Sequence, residues 1–129
     1  MKHATESKLQ RDPGFTGYVA LKGFFKITQD WGLNNQQQRN LLGDIPEQTF
    51  YKYKKLPEVK LGRDLLERIS FVMGIRKALM ILFPTKEQAD AWVNKPNRDF
   101  GNSSALEAMM AGSITDLERV RRYLDAWRG

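Results

Sequence analysis

Residues 34–55 read NNQQQRNLLGDIPEQTFYKYKK, and the punctuation is that of two short helices joined by a tight turn. Asn34 or Asn35 can accept from the orphan amides of a helix start. Leu41 and Leu42 give that helix an apolar end, and Gly43 can take a left-handed stop. Pro46 fits the first turn of the next helix, where its missing N–H costs nothing. Asp44 and Glu47, three apart, suit a reciprocal cap on it. Phe50 and Tyr53 then share one face, which leaves Gln48, Thr49, Tyr51, Lys52 and Lys55 outside the packed seam. Such a pair is either an ordinary packed hairpin or a helix-turn-helix whose second helix enters the DNA major groove. The tip Tyr51-Lys52-Tyr53-Lys54-Lys55 tilts the choice, because it makes poor core and a good phosphate surface.

Charge agrees with that reading. The net charge of +6 is uneven: residues 1–60 hold ten Lys/Arg against six Asp/Glu, and residues 61–129 hold eleven against nine. A basic excess on the helix-turn-helix half suits a nucleic-acid partner, and it would also serve plain solubility. With 129 residues the chain is one domain, or two small lobes sharing a core. It has no cysteine, and its one histidine is His3. Disulfides, thiolate chemistry, the common zinc frameworks and His-dependent triads are therefore not expected, and neither are a metal, a cofactor or an enzyme activity. No apolar run approaches a membrane span and no leader is evident, so a cytoplasmic protein is expected.

Outward from the central stretch, the pattern is helical throughout. Residues 1–17 read as a flexible polar arm. Residues 18–31 place Leu21, Phe24, Phe25 and Trp31 on one stripe, closed by Gly32. Residues 61–83 form the most apolar segment, with Leu65, Leu66, Ile69, Val72 and Met73 at helical spacing. Within it, residues 78–83 (ALMILF) are apolar all round and need enclosure, either by this chain or by a second copy. Pro84 stops that helix. Capping boxes at Thr85–Gln88, Ser104–Glu107 and Thr115–Glu118 open three more helices. The last carries Leu117, Val120, Leu124 and Trp127 on one stripe, with Arg119 and Arg122 off it. Residues 94–103 are a loop by composition. Phe100 within it either marks a partner site or tucks back to pin the loop, and the second is favoured. The expectation is an all-α fold.

Four segments in order, LLGDIPEQTFYKYKK, RDLLERISFVMGIRKALMILFP, AWVNKPNRDFGNSSALEAMMAG and RVRRYLDAWRG, together resemble the MbcA/ParS/Xre antitoxins that pair with RES-domain toxins. The likeness spans roughly residues 18–129. It implies an Xre-like helix-turn-helix domain at 18–73 and a small helical toxin-binding domain at 74–129. It also implies a protein that self-associates as a dimer or higher oligomer, represses its own operon by binding double-stranded operator DNA, and blocks an NAD-consuming or ADP-ribosylating RES toxin. The alternative is a stand-alone dimeric helix-turn-helix regulator.

By that resemblance the DNA-binding set is Glu47, Gln48, Thr49, Tyr51, Lys52, Lys54 and Lys55. The toxin-binding set is Pro96, Asn97, Phe100, Gly101, Leu106, Arg121, Arg122, Trp127 and Arg128. On physical grounds Gly129 joins it, since its slim, anionic carboxylate is a candidate to enter the toxin's cation-lined pocket for NAD phosphates. Two positions depart from the family pattern. Gly62 stands where a Ser or Thr cap is common, and Glu47 places a carboxylate where a neutral or basic residue is commoner.

Overall fold

The computed structural model describes residues 12–55 and 57–129. Seven α-helices follow one another among them: α1 (Pro13–Asp30), α2 (Asn35–Leu41), α3 (Glu47–Lys55), α4 (Arg63–Leu82), α5 (Lys86–Trp92), α6 (Ala105–Met109) and α7 (Ile114–Arg128), with a 3-10 turn at Arg98–Phe100. The only β feature among the described residues is an isolated bridge between Pro96 and Ser104. The all-α expectation holds.

The long helix α4 is the axis, packed against α1 on one side and α7 on another. It runs unbroken across the expected 73/74 boundary, so both lobes share one core. Phe24 of α1, Phe50 of α3, Ile69, Val72, Ile75 and Leu79 of α4, and Leu117, Val120 and Leu124 of α7 are all essentially inaccessible to solvent. Burying each such side chain contributes roughly 1.5–3 kcal/mol before the entropy of ordering is counted. The run 78–83 divides. Ala78 and Leu79 are enclosed by the chain itself, while Met80 and Ile81 stand exposed.

Local signals set most helix ends. Asn34 caps α2 and Gln37 bonds back to it, as a capping box requires. The left-handed stops fall at Gly32 and Gly43, with φ of 76° and 93°. The box at Ser104 and Glu107 is formed. Gly62 caps α4 without a side-chain bond.

Three readings need correction. Residues 13–17, expected in a flexible arm, begin α1. The Asp12 carboxylate accepts from the amides of Gly14 and Phe15, and Pro13 occupies the first position. The rest of that arm lies outside the described residues. Asp44 does not cap α3; it is left-handed itself (φ 60°), and its amide donates to the Arg39 carbonyl. Asp44 thus completes the C-terminal cap of α2, and α3 starts with the Pro46 carbonyl accepting from Phe50. The α7 box is Ser113 with Asp116, two residues before the expected Thr115–Glu118.

Charged and polar ties join the lobes. Arg76 of α4 lies between Asp30 of α1 and Asp90 of α5, at 3.3 Å and 3.2 Å. Lys86 reaches the same two carboxylates. Asn94 donates to the Trp31 carbonyl, and Arg68, packed beneath Gly43 of the turn, donates to the Gly112 carbonyl. Burial alone would raise the Asp30 pKa. Hydrogen bonds from Lys86 and Arg76, with the charges of Lys86 and Lys26, outweigh it and hold the carboxyl below its ordinary 3.8.

Two predictions follow from this packing. A Cβ on Gly17 would lie 1.9 Å from the Val59 carbonyl oxygen, a backbone obstacle. The three atoms nearest to one on Gly74 all belong to the Arg121 guanidinium, the movable end of a long side chain. Gly17→Ala should therefore destabilise by at least about 1–3 kcal/mol, and Gly74→Ala should be near neutral because it gains up to about 1 kcal/mol of helix propensity; urea melts compare them. Because the Asp30 pKa is depressed, its stabilisation is present above 3.8 and is lost as pH falls through the folded value. The Tm gap between the native chain and Asp30→Asn should be widest near neutrality and narrow on going to about pH 3.

Candidate functional site

Two surfaces combine chemistry with exposure. The first is built by α2 and α3. Phe50 is buried and Tyr53 half-buried, which orients α3 against α1 and turns its other face outward. Glu47, Gln48, Tyr51, Lys52, Lys54 and Lys55 are exposed, and Thr49 is half-buried. Gln48, Lys52 and Lys55 stand at i, i+4 and i+7, on one stripe of the helix. Lysines in the last turn of α3 and Glu47 in its first also suit the helix dipole, so part of this pattern is helix stabilisation. Asn35, at the start of α2, ties this surface together. Its Nδ2 donates to Tyr51 Oη at 3.1 Å, and its Oδ1 accepts from Lys54 Nζ at 3.1 Å. Lys54 also sits 4.6 Å from the centre of the Phe50 ring and 5.3 Å from that of Phe25. It is thus a held cation, unlike Lys52 and Lys55 further out. Reading the sequence did not single out this role of Asn35, because its partners stand 16 and 19 residues away.

The second surface is a ladder of aromatic rings on the C-terminal lobe. Trp127 packs edge-on to Phe83 at 5.8 Å and lies 6.4 Å from Trp92 and 6.3 Å from Tyr123. Trp92 stacks on Tyr123 at 6.1 Å, and Tyr123 meets Phe100 at 5.1 Å. The Arg119 guanidinium closes the far end, 5.1 Å over the Phe100 ring. Trp127 is 51% exposed, an unusual state for so large an apolar group. Tyr123 donates to Asp99 at 2.7 Å, and that bond, the largest influence on it, raises the phenol pKa above 10.0.

The sequence-predicted partner residues divide by depth. Pro96, Gly101, Arg122, Trp127, Arg128 and Gly129 are exposed. Phe100, at 7% exposure, and Leu106, at 5%, are buried, so neither offers surface in this conformation. Phe100 pins the loop from beneath, as the favoured reading of the loop held. Asn97 organises the same loop by accepting from the Asp99 amide, while its main chain bonds Phe100, Asn102 and Ser103. Arg121 is half-buried and paired with Asp125; Arg122 pairs with Glu118, and Arg128 approaches Asp125 at 3.8 Å. Phe83, Trp92, Tyr123 and Arg119 were not picked out as surface builders. The signal available was the i, i+4, i+8 spacing of Arg119, Tyr123 and Trp127 on α7.

Among the described residues no group of His, Cys, Asp and Glu is arranged to hold a metal ion, and no helix is long and apolar enough to cross a membrane.

Comparison with known proteins matches two segments of the chain to two domain families. Residues 18–74 match the antitoxin Xre-like helix-turn-helix domain, and residues 78–129 match the antitoxin Xre/MbcA/ParS C-terminal toxin-binding domain. A relative from Sinorhizobium fredii (strain NBRC 101917 / NGR234), named uncharacterized protein y4oB, is 45% identical over 109 residues, covering 84% of each chain.

Depth separates support from contact on the second surface. Phe100→Ala should cost about 3–5 kcal/mol in urea unfolding, the usual loss for emptying a buried ring site. Trp127→Ala should cost clearly less, since half of that ring already faces water.

Proposed function

The chain belongs to the Xre/MbcA/ParS antitoxin family, and from that premise we propose that it neutralises a RES-domain toxin and represses its own operon. The observation that carries the reading is that two adjoining segments match a helix-turn-helix domain and a toxin-binding domain, while each presents an exposed surface of fitting chemistry. Gln48, Tyr51, Lys52 and Lys55 supply amide, phenol and ammonium groups to a DNA groove and its phosphates. Glu47, at the mouth of the same helix, suits a cytosine amino group better than a phosphate. On the other lobe, Trp127 supplies an aromatic anchor, and Arg122 and Arg128 are exposed on the same helix. Large rings and arginines are what protein interfaces concentrate at their centres. Arg122 and Arg128 also suit the anionic groups of a pocket that handles NAD phosphates.

Self-association belongs to the same proposal. Met73 and Met80, seven residues apart on α4, and the neighbouring Ile81 are exposed. An apolar strip of this kind suits contact with a second copy. A two-fold dimer would read a palindromic operator with half-sites about one helical turn, or a multiple of it, apart.

The test is co-expression with a RES-type reading frame encoded beside this one. The native chain should co-purify with that toxin and keep cellular NAD at the level of toxin-free cells. Trp127→Ala should weaken co-purification and leave operator binding intact. Lys52→Ala with Lys55→Ala should do the reverse and should flatten the log–log salt dependence of DNA binding by about 0.9 for each phosphate no longer neutralised. A native chain that neither binds nor protects against such a toxin would overturn the toxin half of the proposal.

A further inference from the structure

A groove of about 470 Å³ lies between α1 and the end of α3, apart from the exposed stripe of α3. Tyr18, Lys22, Phe25 and Lys26 of α1 face Tyr53 and Lys54 of α3 across it. Three of these side chains are cations, and no carboxylate is present among the described residues that line it. Asp30 acts on Lys26 from outside the groove, and it is already engaged by Arg76 and Lys86. Lys22 sits 5.5 Å from the Tyr18 ring centre, and Lys54 is held over Phe25 and Phe50 while bonded to Asn35. Like charges gathered without a counter-charge repel one another, so the groove is electrostatically incomplete as it stands. An anion seated among them relieves that repulsion, and the aromatic walls match the apolar face of a sugar.

Position selects the anion. Lys54 lines this groove and, through its bond to Asn35, belongs also to the α2–α3 surface. A duplex lying on that surface would run its sugar-phosphate strand past Lys54 toward α1. We propose that Lys22 and Lys26, together with Lys54, seat a backbone phosphate of operator DNA just outside the segment read by α3. This extends the footprint onto α1, a helix outside the helix-turn-helix pair. The inference rests on the operator-binding reading above. Contacts of this type carry no base information; they fix register and add salt-dependent affinity.

The experiment measures binding of a labelled duplex from the region upstream of the protein's own gene, by fluorescence anisotropy, across a salt series. The double variant Lys22→Ala with Lys26→Ala should flatten the log–log salt slope by up to about 0.9, the contribution of the one phosphate that loses two of its lysines. Its preference for the operator over a scrambled duplex should be unchanged. The control variant Lys95→Ala with Arg98→Ala removes two exposed cations from outside the groove and should keep the native slope. Circular dichroism melts confirm that both variants are folded. A native slope in the groove variant, with specific binding retained, overturns the groove site and leaves the helix-turn-helix reading standing. Failure of the native chain to bind any duplex overturns both. A third outcome would also overturn the DNA assignment: inorganic phosphate perturbs the NMR signals of Lys22 and Lys26 while the salt slope stays native, which makes the groove a free-anion site.

Discussion

Arg76 is wedged between carboxylates from two different helices, with its side chain 12% exposed. A guanidinium that far out of water is tolerable only if both sides are paired, and removing one partner of such a pair typically costs about 3–5 kcal/mol. The pairing therefore constrains three helices together: Asp30 ends α1, Asp90 lies in α5, and Arg76 sits on α4 between them. Around this point apolar packing can be loose in direction, because hydrophobic contact does not specify angle, whereas an ion pair with a hydrogen bond on each side does. The Asn94 bond to the Trp31 carbonyl reinforces the same junction. The position of the C-terminal lobe relative to the helix-turn-helix follows from it.

The shared helix α4 carries no member of either surface. The groups proposed to face DNA come from α2 and α3, and the aromatic ladder comes from α5, α7 and the residues around them. That separation lets each surface change while the common core keeps its shape. It also places Arg68 in an interesting position: it packs against Gly43 of the turn and bonds Gly112 of the other lobe, so the same side chain touches both halves.

Held groups and loose groups alternate on both surfaces. Lys54 and Tyr51 are drawn in by Asn35, while Lys52 and Lys55 extend further; Phe100 is fixed under Arg119, while Trp127 stays half open. A restrained group loses less freedom on binding, and an extended one reaches further. The mixture is what a contact surface needs if it is to be specific without being rigid throughout.

Much of this was legible in the residues because it is local physics. Apolar spacing identified most of the buried stripes of α1, α4 and α7, although Met73 and Trp127 on them stand exposed. A polar side chain three residues before its partner identified the cap at Ser104, while Asn34 and Asn35 remained alternatives for α2. Where two local signals competed, the sequence alone could not rank them. Asp44 serves the end of α2 rather than the start of α3, and Ser113 caps α7 ahead of Thr115, because backbone geometry admits one start per helix. Residues 13–17 looked like a polar arm, yet Asp12 and the close fit of Gly17 under Val59 commit them to α1. The sequence by itself thus determined the all-α class, the helix-turn-helix and the charge bias. Tertiary structure alone decided that Leu106 is a support, that Asn35 organises the lysine tip, and that Tyr123 and Trp92 complete a surface. Those roles depend on side chains brought together from distant positions, and such contacts have no period or spacing along the chain by which to be read.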